Sequence, residues 1–252
     1  MRSTFALVIT SLLCSTAPIC LAQDSFDPTG HNTEAHLPKI IRTQVEYIVI
    51  PTSLATQLMY GPKKAANDSA LRLQLQKLLD DKKATMLDSQ MVTCRSGEKA
   101  TTESVRELIY PTEYEPAEVP KEVHIDGKNV TAAKEKLITP PTPTAFETRN
   151  IGSTLELEPT LSDNGIIIEL RFAPEITYHV EDNVLAEFRD ERGIADIKVP
   201  TIYTLRINTG MTLESGKYHL AAMLSPKTDK GFTDSSKKVF VFVKSDALTV
   251  SR

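Results

Sequence analysis

Apolar and polar residues alternate along most of this chain, and one stretch of helical repeat interrupts the alternation. In IIRTQVEYIVIP, Ile41, Val45, Tyr47 and Val49 fall on one face, while Ile48 and Ile50 make the far end apolar on both. That pattern predicts a strand covered on two sides at its end. Leu71, Leu75, Leu78 and Leu79 then recur at helical spacing. Asn67, Asp68 or Ser69 serves as the N-cap, and Lys82 and Lys83 stand where cations suit the helix dipole. This is a helix with one face for a sheet.

From Ala84 onward the period is that of strands. Ala84 to Cys94 and Lys99 to Ile109 flank Arg95-Ser96-Gly97-Glu98, read as a first hairpin with glycine at the turn. Residues 111 to 143 are rich in proline and charge and read as an inserted loop, with a small hairpin in VHIDGKNV turning at Asp126-Gly127. In GSTLELEPTLSDNGIIIELRFAPEI, Leu155, Leu157 and Leu161 share one face, opposite Glu156 and Glu158. On the return, Ile166, Ile168, Leu170 and Phe172 share a face, opposite Glu169 and Arg171. A two- or four-residue loop around Asp163-Asn164 sets the two apolar rows side by side, which predicts a hairpin with one buried and one wet face. Residues 181 to 198 read as an acidic, irregular loop. YTLRINTGMTL alternates again, Glu214-Ser215-Gly216-Lys217 turns the chain into YHLAAML, and Val239 to Val243, VFVFV, has no polar face. Such a strand is either central in a two-sided core or partly lipid-facing, and periodicity does not choose. The expected fold class is α+β and β-rich, mostly antiparallel hairpins with one amphipathic helix packed on the sheet.

Composition narrows the setting. The 252 residues, 40% hydrophobic and 25% charged, hold enough material for one large or two small cores. The start, MRSTFALVITSLLCSTAPICLAQ, has one positive charge, an apolar run from Phe5 to Leu13 and a small-residue ending at Ala22. Residues 1 to 22 are therefore expected to be a cleaved signal peptide, since the apolar run falls far short of the roughly 20 residues that span a bilayer. Leu13 before Cys14 and Ile19 before Cys20 are too large for a lipoprotein signal. Residues 23 to 39 read as a flexible leader and 40 to 248 as the folded domain. Cleavage leaves Cys94 alone, which excludes an internal disulfide and a cysteine-built metal site. A net charge of -4 with no basic patch argues against nucleic acid.

The order of these elements resembles a family. QVEYIVI, LRLQLQKLL, ATMLDSQMVTCRSGEKATTESVRELIYP, NIGSTLELEPTLSDNGIIIELRFAPEI, VPTIYTLRINTGMTLESGKYHLAAMLSP and VFVFVKSDAL follow one another as in the C-terminal homology domain of secretins, over most of residues 40 to 248. Secretins are the ring-forming outer-membrane proteins of type II and type III secretion and type IV pilus systems. The most specific pieces are Gly97 with Ala100, then Gly152, Leu155 and Pro159 with the Asn164-Gly165 return, then Pro200 leading to Gly216. The resemblance implies copies assembling side by side into a ring, with like copies or other secretion and pilus components as partners and an outer membrane as the setting. It departs in three places: Pro51 to Asp68 is short where secretins carry gate hairpins, only the leader precedes Ile40 where they carry periplasmic domains, and Ala221-Ala222 replaces a glycine pair. The alternative is a soluble periplasmic interaction module with no pore. The absence of Trp, with 7 Tyr and 8 Phe, makes a thin aromatic girdle and favours that module.

Catalytic chemistry is sparse. His31, His36, His124, His179 and His219 lie in no metal-ligand spacing, and neither a GxSxG elbow nor a phosphate-cradling glycine loop is present. Glu181, Asp182, Glu187, Asp190 and Glu191 lack the alternation of a calcium loop and read as a solvated segment. Cys94 reads as a small buried residue and not as a nucleophile. The expectation is a protein that works by shape and assembly, with no cofactor, metal or small-molecule substrate.

Overall fold

The computed structural model describes residues 39–60, 66–118, 124–125, 128–129, 138–191 and 193–248. The expected signal segment and the leader up to residue 38 lie outside them. The fold is β-rich α+β, built among the described residues from antiparallel sheets and two helices. Sheet A has the order β12-β13-β1-β2, from β12 (Tyr218–Leu224), β13 (Lys237–Leu248), β1 (Ile40–Pro51) and β2 (Thr85–Arg95). Sheet B has the order β10-β7-β6-β3, from β10 (Ile197–Arg206), β7 (Ile167–Ala186), β6 (Thr142–Leu161) and β3 (Ala100–Glu115), and β11 (Thr209–Glu214) pairs with β7 beyond β10. Two short ladders complete the strands: β4 (His124–Ile125) with β5 (Lys128–Asn129), flanking Asp126-Gly127 as expected, and β8 (Arg189–Asp190) with β9 (Gly193–Ile194).

The inward faces of the two sheets form one core. Ile41, Val45, Tyr47, Val239, Val241 and Val243 of sheet A meet Leu155, Leu157, Ile168, Leu170, Phe172, Ile176, Leu205 and Leu213 of sheet B. A hydrogen bond of 2.9 Å between Thr43 and Ser245 satisfies the two hydroxyls buried on that same face. On the other side of sheet A, Ile48, Ile50, Phe240 and Phe242 pack against Ala55 of helix α1 (Thr52–Met59) and Leu75 of helix α2 (Ser69–Asp80). The strand with no polar face therefore lies second in sheet A, between β12 and β1, with helices over one side and sheet B over the other. That resolves the choice that periodicity left open.

Three readings differ from what folds. First, Thr52–Met59 is a second helix where a bare connection was expected; Ala55 is its buried residue, and Leu58 packs beside it. Eight residues are too few to show a convincing helical repeat. Second, Gly97 and Gly216 do not turn hairpins. β2 pairs with β1 and β3 with β6, while β11 pairs with β7 and β12 with β13, so both turns carry the chain from one sheet to the other. A tight turn between alternating runs reports a reversal of direction, and only packing decides whether the runs pair or stack. Third, regular pairing enters the two expected loops. β3 runs through Pro111 to Glu115, β6 starts at Thr142, and residues 181–186 and 197–198 pair within sheet B. Pro111 is tolerated because β3 is an edge strand.

Candidate assembly surface

One end of the sandwich gathers most of the positions that carry the family resemblance. The Gly97 amide donates to the Pro159 carbonyl at 2.8 Å, and Ala100 stands opposite Leu157. Gly97 and Gly216 have φ of +81° and +80°, values that glycine adopts without the steric cost other residues meet. The Gly216 amide donates to Ser245 and the Ser215 amide to Ile166, each at 2.8 Å. Ile166 itself lies in the turn between β6 and β7, not on the apolar row, and is exposed. There the Asn164 Oδ1 accepts the Ile166 amide at 2.9 Å, and Gly165 follows at φ +71°. Ala221 packs against the core beside a slip in the β12–β13 ladder between Leu220 and Ala222. These contacts close that end. Leu155 lies mid-core, Pro200 sits apart on β10 opposite Asp182, and Gly152 marks a different boundary.

At Gly152 sheet B divides. The β6–β7 ladder runs from Leu161/Ile168 to Gly152/Thr177 and stops, although β6 continues back to Thr142 and β7 on to Ala186. Beyond that point β6 pairs only with β3, and β7 only with β10. Gly152 has φ +133°, and a Cβ there would fall 2.2 Å from the Ser104 carbonyl oxygen, so the backbone approach needs glycine. Two ribbons result, β3/β6 and β7/β10. They lean so that β3 and β10 approach one another without pairing.

The ribbons bury little. Val105, Ile109 and Phe146 of the first and Val184 and Leu185 of the second are exposed, Ile109 at 64% and Phe146 at 58%. On β3 the outward row Thr101, Glu103, Val105, Glu107 and Ile109 interleaves charge with apolar groups. A lipid-facing strand would show a continuous apolar band instead.

Free edges are distributed unevenly. The outward edge of β12 is covered: Asp68 gives its amide to the Tyr218 carbonyl and takes the Leu220 amide on its carboxylate, and Ser69 takes the Tyr218 amide. Asp68 and Ser69, expected as helix caps, thus blunt a sheet edge, while Asn67 accepts the Ser69 amide at the helix start. Among the described residues, β2, β3 and β10 each pair with one neighbour only. Helix α2 is pinned by a buried ion pair, Arg72 to Glu46 of β1 at 2.5 Å.

At the ribbon roots lies a tyrosine cluster. Tyr178 and Tyr203 stack at 4.7 Å between ring centroids. Burial, with a smaller contribution from neighbouring Tyr203 and Asp88, pushes the Tyr178 phenol up to about 12. Burial likewise holds the Tyr47 phenol protonated well above its ordinary range, with Asp88 adding to the effect. Nothing in the strand pattern of the sequence marks this cluster, because its members come from three strands of two sheets.

The other candidate groups are structural. The buried His219 ring accepts the Glu214 amide at 3.3 Å, and His179 bonds Asp182 at 2.8 Å. His31 and His36 lie outside the described residues. Of the acidic group, Asp182 is engaged by His179 and Glu187 pairs with Arg189 at 3.5 Å. Cys94 packs against the core, and burial raises its thiol. Among the described residues no three His, Cys, Asp or Glu side chains are placed to hold a metal, and neither helix is long and apolar enough to cross a membrane.

No protein-family model matches the chain, and comparison with curated proteins finds no match. Solved structures do resemble it. The secretin domain β-barrel of InvG from the Salmonella SPI-1 injectisome aligns with a TM-score of 0.42 at 9% identity, covering 85% of this chain and 64% of that one. The type II secretin GspD from enteropathogenic Escherichia coli aligns at 0.40 and 9%, covering 84% and 70%. The type IV competence pilus secretin PilQ of V. cholerae aligns at 0.38 and 10%, covering 85% and 62%. This chain thus spans somewhat under two thirds of the InvG and PilQ chains. The solved structures to which it is similar are secretin domains, as the order of its motifs led one to expect.

Proposed function

We propose that this protein is a secretin-like assembly subunit of a bacterial secretion or type IV pilus system, exported to the periplasm or outer membrane, where it adds side by side to an outer-membrane ring. The observation that carries this reading is the pair of ribbons into which sheet B divides at Gly152. A two-stranded ribbon with both faces in water is marginal by itself, and here two of them extend past the core with unpaired edges on β3 and β10. β3 bears Glu103, Glu107, Glu113 and Glu115 against one cation, Arg106, while β10 bears Lys198 and Arg206, the latter already paired with Glu175 of β7. The acidic β3 edge of one copy would then meet Lys198 on the β10 edge of the next, a head-to-tail contact of the kind that propagates around a ring. The protein works by shape and pairing and not by catalysis.

The interleaved charges of β3 favour a second reading, a soluble periplasmic module that pairs its edges with a partner and forms no pore. The test is the particle formed by the full precursor expressed with an outer membrane, extracted in mild detergent and viewed by electron microscopy beside an unboiled gel. Large heat-sensitive rings in the membrane fraction support the ring subunit. A monomer or small oligomer in the periplasm overturns it and leaves the module.

A further inference from the structure

Three side-chain oxygens are enclosed at the roots of the ribbons with no hydrogen-bond partner among the described residues: the Tyr47 hydroxyl, the Asp88 Oδ2 and the Gln90 Oε1. The β1–β2 register brings them together. Tyr47 stands opposite Asp88, and Gln90 stands opposite Val45 two residues away, so all three project from the inward face of sheet A. Tyr47 is 1% exposed, which aims its hydroxyl into the interior. Tyr178, where β7 leaves β6, lies close enough to feel the Asp88 charge.

The chemistry of this trio is selective. Asp88 takes part in none of the ion pairs among the described residues. The Asp88 side chain is only half-buried, but its Oδ2 is enclosed without a donor, and an unpartnered buried oxygen is unfavourable. Its phenol neighbours, Tyr47 and Tyr178, supply no counter-charge. A water molecule would donate to the carboxylate and the amide oxygen but would not neutralise the charge. A carboxylate, an amide carbonyl and a phenol are all hard oxygen donors, with no nitrogen or sulfur to favour a transition metal.

We propose that Tyr47, Asp88 and Gln90 form a binding site for a hard cation of the calcium class, which ties the edge strand β2 to its neighbour β1. A single carboxylate makes the site weak, with a dissociation constant on the order of 10⁻⁴–10⁻³ M, the range of extracellular calcium modules. The proposal stands whether or not copies assemble into rings.

The chain contains no Trp, so excitation in the tyrosine band sensitises bound terbium through tyrosine alone. Terbium is titrated into the purified full chain with tyrosine excitation, and calcium is then added as competitor. The expected result is saturable emission that calcium removes. Asp88→Asn weakens terbium binding about tenfold or more, and Gln90→Glu, which adds a second carboxylate without changing shape, tightens it about tenfold. Emission that never saturates, or that is unchanged in Asp88→Asn, assigns the signal to surface carboxylates and overturns the site. A folded Gln90→Glu that binds no more tightly overturns it too, since the Gln90 amide would then be serving Asp88 as a donor. If Asp88→Asn fails to fold, the gain in Gln90→Glu decides.

Discussion

Two halves of the same strands behave differently. Within the sandwich, β6 buries Leu155, Leu157 and Pro159, and β7 buries every second residue from Ile168 to Ile176. Past Gly152 and Thr177 the strands continue at full length, yet Thr142 to Asn150 and Glu181 to Ala186 are exposed apart from the half-covered Ala145. Backbone pairing continues across the boundary in each ribbon, whereas the second sheet stops. Hydrogen-bonded pairing is therefore enough to keep a strand extended, but a buried face requires a second layer, and the described residues offer the ribbons none.

The comparison breaks most severely in the core. Leu157→Ala or Phe172→Ala is expected to cost about 3–5 kcal/mol, because each empties a fully enclosed position between the sheets; denaturant unfolding measures it. Arg72→Ala should cost a similar amount, about 3–5 kcal/mol by the same measurement, since it strands Glu46 as a buried unpaired charge. Gly152→Ala acts at the boundary. Strain from its φ alone is worth about 1–3 kcal/mol, and the clash with Ser104 should also lower hydrogen-exchange protection of the β3/β6 ribbon more than that of the sandwich. Ile109→Ser with Phe146→Ser should change the stability of the isolated chain by less than about 0.5 kcal/mol each, while shrinking the particle seen on the unboiled gel. If those two changes destabilise the lone chain as strongly as Phe172→Ala, the ribbons already have a hidden core and the contrast fails.

A pH effect sharpens the same boundary. Burial pushes the Tyr178 phenol up to about 12 in the folded protein, from the ordinary tyrosine value of 10.0. The stability linked to its protonated form is complete below the ordinary value and is lost as pH rises through about 12. Phenolate absorbance, undisturbed by Trp, should show tyrosines at the ribbon roots ionising last and together with unfolding. Early ionisation of every tyrosine would mean that the roots are open to water.

The strands, the leucine helix and the buried rows of Leu155, Leu157, Ile168, Leu170 and Phe172 were legible in the sequence, because a period of two or of 3.6 is imposed by local backbone geometry. The turn positions Gly97, Gly165 and Gly216 were legible for the same local reason, a backbone dihedral that favours glycine. What each turn connects was not. Whether Gly97 and Gly216 close hairpins or cross between sheets depends on which strand offers the better layer, and that is a comparison of distant partners. The placement of VFVFV between helices and sheet, the use of Asp68 to cover an edge, the parting of β6 from β7 and the gathering of Tyr47, Asp88, Gln90 and Tyr178 belong to the same class. Each is set by contacts between residues far apart in the chain, which alternation along a single strand does not encode.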